Sequence, residues 1–260
     1  MTAPTRGIAD IPVLRPRAPG TGVRERILRR RPPAAAVYAG CLLAGMLVLC
    51  ALAVVLGLAL VHVVLPAGAG RPDEHAVEWV ARHRSATLNT WSLRGSRIGD
   101  APVLPALVLL GAGVALLLRR ARVALFLVGA GAAELVAYRV TSLVVHRERP
   151  GVARLDHLPA DQSFPSGHTG AAVAVYCGLM LVVGSRWPRL RVLWPVAVAI
   201  PVLVGLSRIE RGMHHPLDVL GGALVGAGAI AVGLFATRAA VAAHRRRTGA
   251  GPSRRTVGRG

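Results

Sequence analysis

Six apolar runs, each bounded by polar or arginine-rich segments, constrain this chain more than any other feature. They are Val37–Leu65, Pro102–Leu118, Val123–Val145, Gly167–Val183, Val192–Leu206 and Leu217–Ala236. Crossing the hydrocarbon of a bilayer takes about 20 apolar residues in a helix, because every backbone N–H and C=O must find its partner inside the segment. The first run has 29 residues, so part of it tilts or projects. It is too long for a signal peptide and lacks a convincing small-residue cleavage site. The fifth is short and holds Pro195 and Pro201, which predicts a kink. With 53% hydrophobic residues the chain is too apolar for an ordinary soluble domain. The predicted fold is all-α, an integral membrane six-helix bundle over residues 37–236. A disordered Arg/Pro-rich tail (1–36) precedes it and a basic tail (237–260) follows. Between the first two runs, Ala76, Val77, Val80 and Ala81 recur at helical spacing within the polar stretch Arg71–Asp100, predicting an amphipathic helix at the interface.

Charge sets the orientation. The net charge is +20 and all 32 basic residues are arginine. They do not form a nucleic-acid surface, because they flank apolar spans and no aromatics are interleaved to stack bases. The N-terminal tail carries eight, the segments 119–122 and 186–191 three each, and the C-terminal tail seven, together 21 of the 32. These four segments alternate along a six-span chain. Cationic segments stay cytoplasmic, so both termini are expected in the cytoplasm of a plasma-membrane protein, with the tails able to touch anionic lipid. The intervening segments then face outward. Cys41, Cys50 and Cys177 fall inside apolar runs, as small buried residues rather than metal ligands or disulfides. Oligomeric state has no signature in the sequence.

Three polar clusters lie in those outward segments: Arg147-Glu148-Arg149-Pro150, Pro165-Ser166-Gly167-His168, and Ser207-Arg208 followed by His214 and Asp218. Guanidinium forks match phosphate oxygens bidentately, and Arg149 and Arg208 leave two different spans where they can converge on one anion. Ser166 and Gly167 open a helix, whose N-terminal N–H groups and dipole attract anions. Asp218, four residues after His214, can hold one ring nitrogen and leave the other to attack phosphorus. His168, at the start of the fourth span, can protonate a leaving oxygen. Arg147 is a further candidate for phosphate binding.

In order and spacing these clusters resemble the type-2 phosphatidic acid phosphatase superfamily of membrane lipid phosphatases. The second and third motifs match fully, the third as Ser207-Arg208, five residues, His214, three residues, Asp218. The resemblance covers roughly Ala76 to Gly222 and implies a six-helix bundle. It implies a phosphohistidine at His214, orientation of that ring by Asp218, His168 as general acid, and phosphoryl binding by Arg149, Arg208, Ser166 and Gly167. The first motif departs from the family, which usually places a lysine seven residues before the arginine, where this chain has Ser142. Arg147 is favoured over Arg139 as the replacement charge.

The function expected is hydrolysis of a lipid phosphate monoester or diphosphate at the extracytoplasmic leaflet, with no metal and no organic cofactor. Polyprenyl diphosphate, phosphatidic acid and phosphatidylglycerol phosphate are the candidate substrates. Transfer to an alcohol, a lipid phosphotransferase, stays open. A metal hydrolase would use His168, His214, His215 and Asp218 as ligands, but guanidiniums beside a dication repel it. A haloperoxidase would fill the same cage with vanadate. A transporter or scaffold needs polar residues along the spans, and only Glu134 and Arg139 interrupt them. For Glu134 a tyrosine hydroxyl such as that of Tyr138 is the expected partner. Gly222 and Gly226 form a small-xxx-small pair suited to close helix contact.

Overall fold

A computed structural model of the protein describes residues 32–157 and 162–248, so most of the two predicted tails lies outside it. Helix α1 spans Ala34–Ala59 and continues through wider π-type turns, Leu60–Ala69, that contain Pro66. Proline lacks the N–H that a regular turn needs. The helix breaks at Gly68, whose φ of +117° is open to glycine and strained for other residues. Helix α2 (Gly70–Arg82) follows, and α3 (Ala86–Arg97) starts where Ser85 accepts a hydrogen bond from the Leu88 N–H at 3.2 Å. The predicted amphipathic segment is therefore two helices. The remaining helices are α4 (Val103–Leu117), α5 (Ala121–Val144), α6 (Gly167–Ala172), α7 (Gly178–Arg186), α8 (Trp194–Glu210) and α9 (Pro216–Thr248). A π-type turn, Val173–Cys177, joins α6 to α7 without a break, and a 3-10 turn, Pro188–Leu193, leads into α8.

Five helical stretches are long and apolar enough to cross a membrane: Ala34–Arg82, Ala121–Val144, Gly167–Arg186, Pro188–Glu210 and Pro216–Thr248. The predicted second crossing is α4, which at 15 residues is shorter. At 1.5 Å per residue it covers about 22 Å of a hydrocarbon core about 30 Å thick. Helix α9 runs well past the predicted end of the bundle at Ala236. Among the described residues there is no strand, only one isolated bridge between Arg147 and Gln162.

The bundle is small-residue inside and large-residue outside. Leu49, Cys50, Ala53, Ala133, Ala137, Val225 and Ala229 form a core shared by α1, α5 and α9, while Leu47, Leu52, Val55 and Leu117 point outward. Lipid tails are as apolar as leucine, so close backbone packing rather than apolar burial drives such an assembly. Helices α1 and α9 run antiparallel, with Gly45 against Val232 and Leu49 against Gly228. Helix α9 reaches α6 through Gly222 and Gly226, where a Cβ would strike the carbonyl oxygens of Ser166 and Gly170. The expected close contact is thus a seat for the segment that opens α6.

Candidate active site

The C-terminal ends of α5 and α8 and the N-terminal starts of α6 and α9 meet at one end of the bundle, bringing all three polar clusters together. Between α8 and α9, Gly212 turns the chain at φ +68° and His214 then points inward, 3% exposed. Its Nδ1 lies 2.7 Å from the Ser163 carbonyl oxygen. A carbonyl can only accept, so Nδ1 carries the hydrogen and Nε2 is the bare nitrogen. Burial holds the His214 pKa well below the ordinary histidine value. The charges of Arg149, Arg208 and His168 push the same way, and Asp218 opposes them.

Asp218 does not touch the ring closely. Its Oδ2 is 3.9 Å from His214 Nδ1. The carboxylate instead receives the Ser163 hydroxyl at 2.6 Å, the His215 backbone N–H at 2.8 Å and an Arg147 guanidinium N–H, and His215 Nδ1 lies 3.1 Å away. Ser163 therefore stands between the two expected partners, its carbonyl on His214 and its hydroxyl on Asp218. Asp218 thus reaches the histidine through that serine and through the turn that holds His215.

Arg149 and Arg208 are placed differently from Arg147. The Arg149 guanidinium donates to the carbonyls of Met213 and Gln162, tying the histidine loop to the segment before α6. Arg208 is 1% exposed. Its Nη1 donates to Ser96 Oγ at 2.7 Å and to Asp156 Oδ2 at 2.8 Å, while its Nε and Nη2 are buried with no hydrogen-bond partner. Asp156 also takes two bonds from Arg211, at 2.9 and 2.5 Å. Burial raises the Asp156 pKa, but the Arg211 hydrogen bonds and the Arg208 charge outweigh it and leave it lowered. Arg147 lies among carboxylates. Its guanidinium is buried between Asp73 and Asp218, two carboxylates that take up its charge. Ser142 turns back onto the Arg139 carbonyl at 3.1 Å and supplies no charge.

His168 Nε2 lies 3.3 Å from Asp100 Oδ1 at the mouth of the site. The Ser166 hydroxyl is buried and pairs with Thr169 Oγ1 at 3.0 Å, and its backbone N–H donates to the Asp218 carbonyl at 2.9 Å. The absent side chain of Gly167 makes room for the Tyr138 ring, 2.8 Å from where a Cβ would sit, and not only for an anion. Glu134 is buried and its Oε1 has no hydrogen-bond partner, so the expected tyrosine pairing is not made through that oxygen. His168, His214, His215 and Asp218 do not assemble into a metal-holding group, and no such group of three or more occurs among the described residues. Sequence reasoning missed Asp73, Glu74, Asp156, Ser163 and Ser96. Of these only Ser163 carried a signal, its place three residues before Ser166.

The arrangement offers a buried imidazole with one ring nitrogen bare, a second histidine at the mouth and a guanidinium with one buried edge open. Residues 122–242 match the sequence pattern of the PAP2 superfamily. Phosphatidylglycerophosphatase B of Bacillus subtilis (strain 168) is 34% identical over 128 residues, 48% of this chain and 62% of that protein. Undecaprenyl-diphosphatase BcrC of the same organism is 37% identical over 99 residues, 36% of this chain and 48% of that protein. The chain thus spans less than two thirds of the length of these curated relatives. A crystal structure of a transmembrane PAP2 type phosphatidylglycerolphosphate phosphatase from Bacillus subtilis superposes with a TM-score of 0.61 at 26% identity, covering 73% of this chain and 94% of that one.

Proposed function

Residues 122–242 place this chain in the PAP2 superfamily, and on that premise we propose that it is a membrane lipid phosphatase working through a phosphohistidine at His214. The observation that carries the reading is the pairing of two buried groups. His214 has Nδ1 fixed and Nε2 bare, and Arg208 has a buried guanidinium edge without a partner. An unsatisfied buried cation edge is costly, and a phosphoryl group satisfies it.

Two in-line displacements follow. Nε2 attacks phosphorus while the bond to the lipid oxygen, or to the departing phosphate of a diphosphate, breaks and that oxygen takes a proton from His168. Water then attacks the phosphohistidine, giving its proton to His168, and the N–P bond breaks to release phosphate. Arg208 and Arg149, with the Gly167 backbone N–H at the helix start, stabilise charge on the equatorial oxygens. The residues named require neither a metal nor an organic cofactor for these steps. The six-span topology, with α4 as the short second crossing and the site facing outward, belongs to the same proposal.

The names of the two curated relatives bring phosphatidylglycerol phosphate and undecaprenyl diphosphate into the substrate panel beside phosphatidic acid. Phosphate release from these lipids in detergent with EDTA present tests the reading. Wild type is expected to release phosphate, and His214→Ala to lose at least about 10³-fold. Equal release by both proteins, or none from any lipid, would overturn it. Transfer to an added alcohol, read as a phosphorylated alcohol in the same reactions, identifies a phosphotransferase.

A further inference from the structure

Asp73, in the first turn of α2, and Glu74, directly after it, lie outside the matched residues 122–242, yet both reach the centre of the site. Asp73 Oδ2 takes Arg147 Nη2 at 2.5 Å and its Oδ1 takes the Leu217 N–H at 3.1 Å. Glu74 Oε2 lies 2.8 Å from His215 Nε2 and its Oε1 accepts the Gly151 N–H at 2.8 Å. Arg147 and His215 both bind Asp218 with their other faces. The side chains thus alternate as Asp73, Arg147, Asp218, His215, Glu74, and Asp73 and Asp218 are each at most 5% exposed.

From this geometry we infer that Asp73 and Glu74 are positioning residues that set the placement and charge of Asp218, and through it of His214. The inference rests on the phosphohistidine reading. Three carboxylates face one permanent cation, Arg147, so the network keeps a surplus of negative charge even with His215 protonated. That surplus opposes Arg149 and Arg208, whose charges resist the positive charge that grows on the His214 ring as its N–P bond forms. With Asp73 present, Arg147 divides its donors between two carboxylates. Without it, Arg147 neutralises Asp218 fully and the Leu217 N–H loses its acceptor at the start of α9. Helix α2 therefore braces the site from outside the matched residues 122–242.

The test uses the full-length protein in detergent and whichever panel lipid wild type hydrolyses fastest, with His214→Ala as the zero. Asp73→Asn is expected to lower kcat about 10- to 100-fold with KM within about twofold, because Asp73 does not face the phosphate. Asp73→Glu recovers most of the rate. In an Arg147→Gln background Asp73→Asn adds little, since both changes break one chain of bonds. An unchanged kcat in Asp73→Asn, multiplicative losses in the double variant, or a rise in KM alone would each overturn the inference. If Asp73→Asn fails to fold by thermal unfolding, Glu74→Gln is compared instead, and an unchanged kcat there overturns it equally. No activity in wild type would sink the phosphatase reading itself, a separable outcome.

Discussion

His214 is defined by what surrounds it more than by its place in a motif. Its burial and the neighbouring cations favour the neutral ring, so it stays unprotonated at pH values where an exposed histidine, with a pKa near 6.5, is already protonated. The pKa is depressed in the folded state. As pH falls through about 6.5 the unfolded chain takes up a proton that the folded chain refuses, and stability declines from there down to the folded value. For catalysis the sign is opposite in use, because activity outlasts the ordinary histidine range. The acid limb of kcat/KM, corrected for the ionisation of the substrate, is expected below about 6.5. A limb centred at or above that value would contradict the neutral buried nucleophile. The two histidines, Arg149, Arg208 and Asp218 were legible in the sequence because their spacing carries chemistry. The Ser163 carbonyl was not, since a backbone acceptor has no side-chain signature. Asp73 and Asp156 sit 74 and 52 positions from the arginines they bind, and only folding brings them there. Arg147 was legible as a cation, but its carboxylate partners Asp73 and Asp218 were not.

At the scale of elements, five of the six predicted spans are helices of membrane-crossing length, with ends displaced where local chemistry intervenes. Pro66 and Gly68 mark the bend in the first helix, but the sequence could not say that α2 would fold over the site. Helix α9 outran its apolar run because alanines and arginines after Ala236 favour helix as much as the core does. The glycine pair on α9 gives a sharp test of packing. A methyl at Gly222 meets the Ser166 carbonyl, and one at Gly113 on α4 meets nothing within 4 Å. Gly222→Ala is expected to destabilise by about 1–3 kcal/mol through overpacking and to lower activity, because the displaced atoms belong to the segment carrying His168. Gly113→Ala is expected to be neutral or to stabilise by up to about 1 kcal/mol through lower backbone entropy in the unfolded chain. Thermal unfolding in detergent reads both. A Gly222→Ala protein as stable and active as wild type would show that α9 does not seat α6.

For the whole molecule, the charge map and the fold agree on geometry and leave one direction to be measured. The antiparallel pairing of α1 and α9 puts Ala34 and Thr248 at the end of the bundle opposite His214. The arginines at 119–122, 186–191 and 245–247 belong to that same far end, while the site gathers Arg147, Arg208 and Arg211 against acidic partners and Arg149 against backbone carbonyls. Arginine-rich loops are what the membrane insertion machinery retains in the cytoplasm, whereas Arg147, Arg208 and Arg211 are held against carboxylates and oppose translocation less. The site end is therefore expected to face outward. A chain with Cys41, Cys50 and Cys177 replaced by alanine carries one new cysteine at an exposed position, Arg154→Cys beside the site or Arg189→Cys at the far end. A membrane-impermeant thiol reagent on intact cells is expected to label the first and to reach the second only after permeabilisation. The reverse pattern would place the site in the cytoplasm and limit its lipids to the inner leaflet. Labelling of both in intact cells would mean that α4, about 22 Å long, does not separate the two faces.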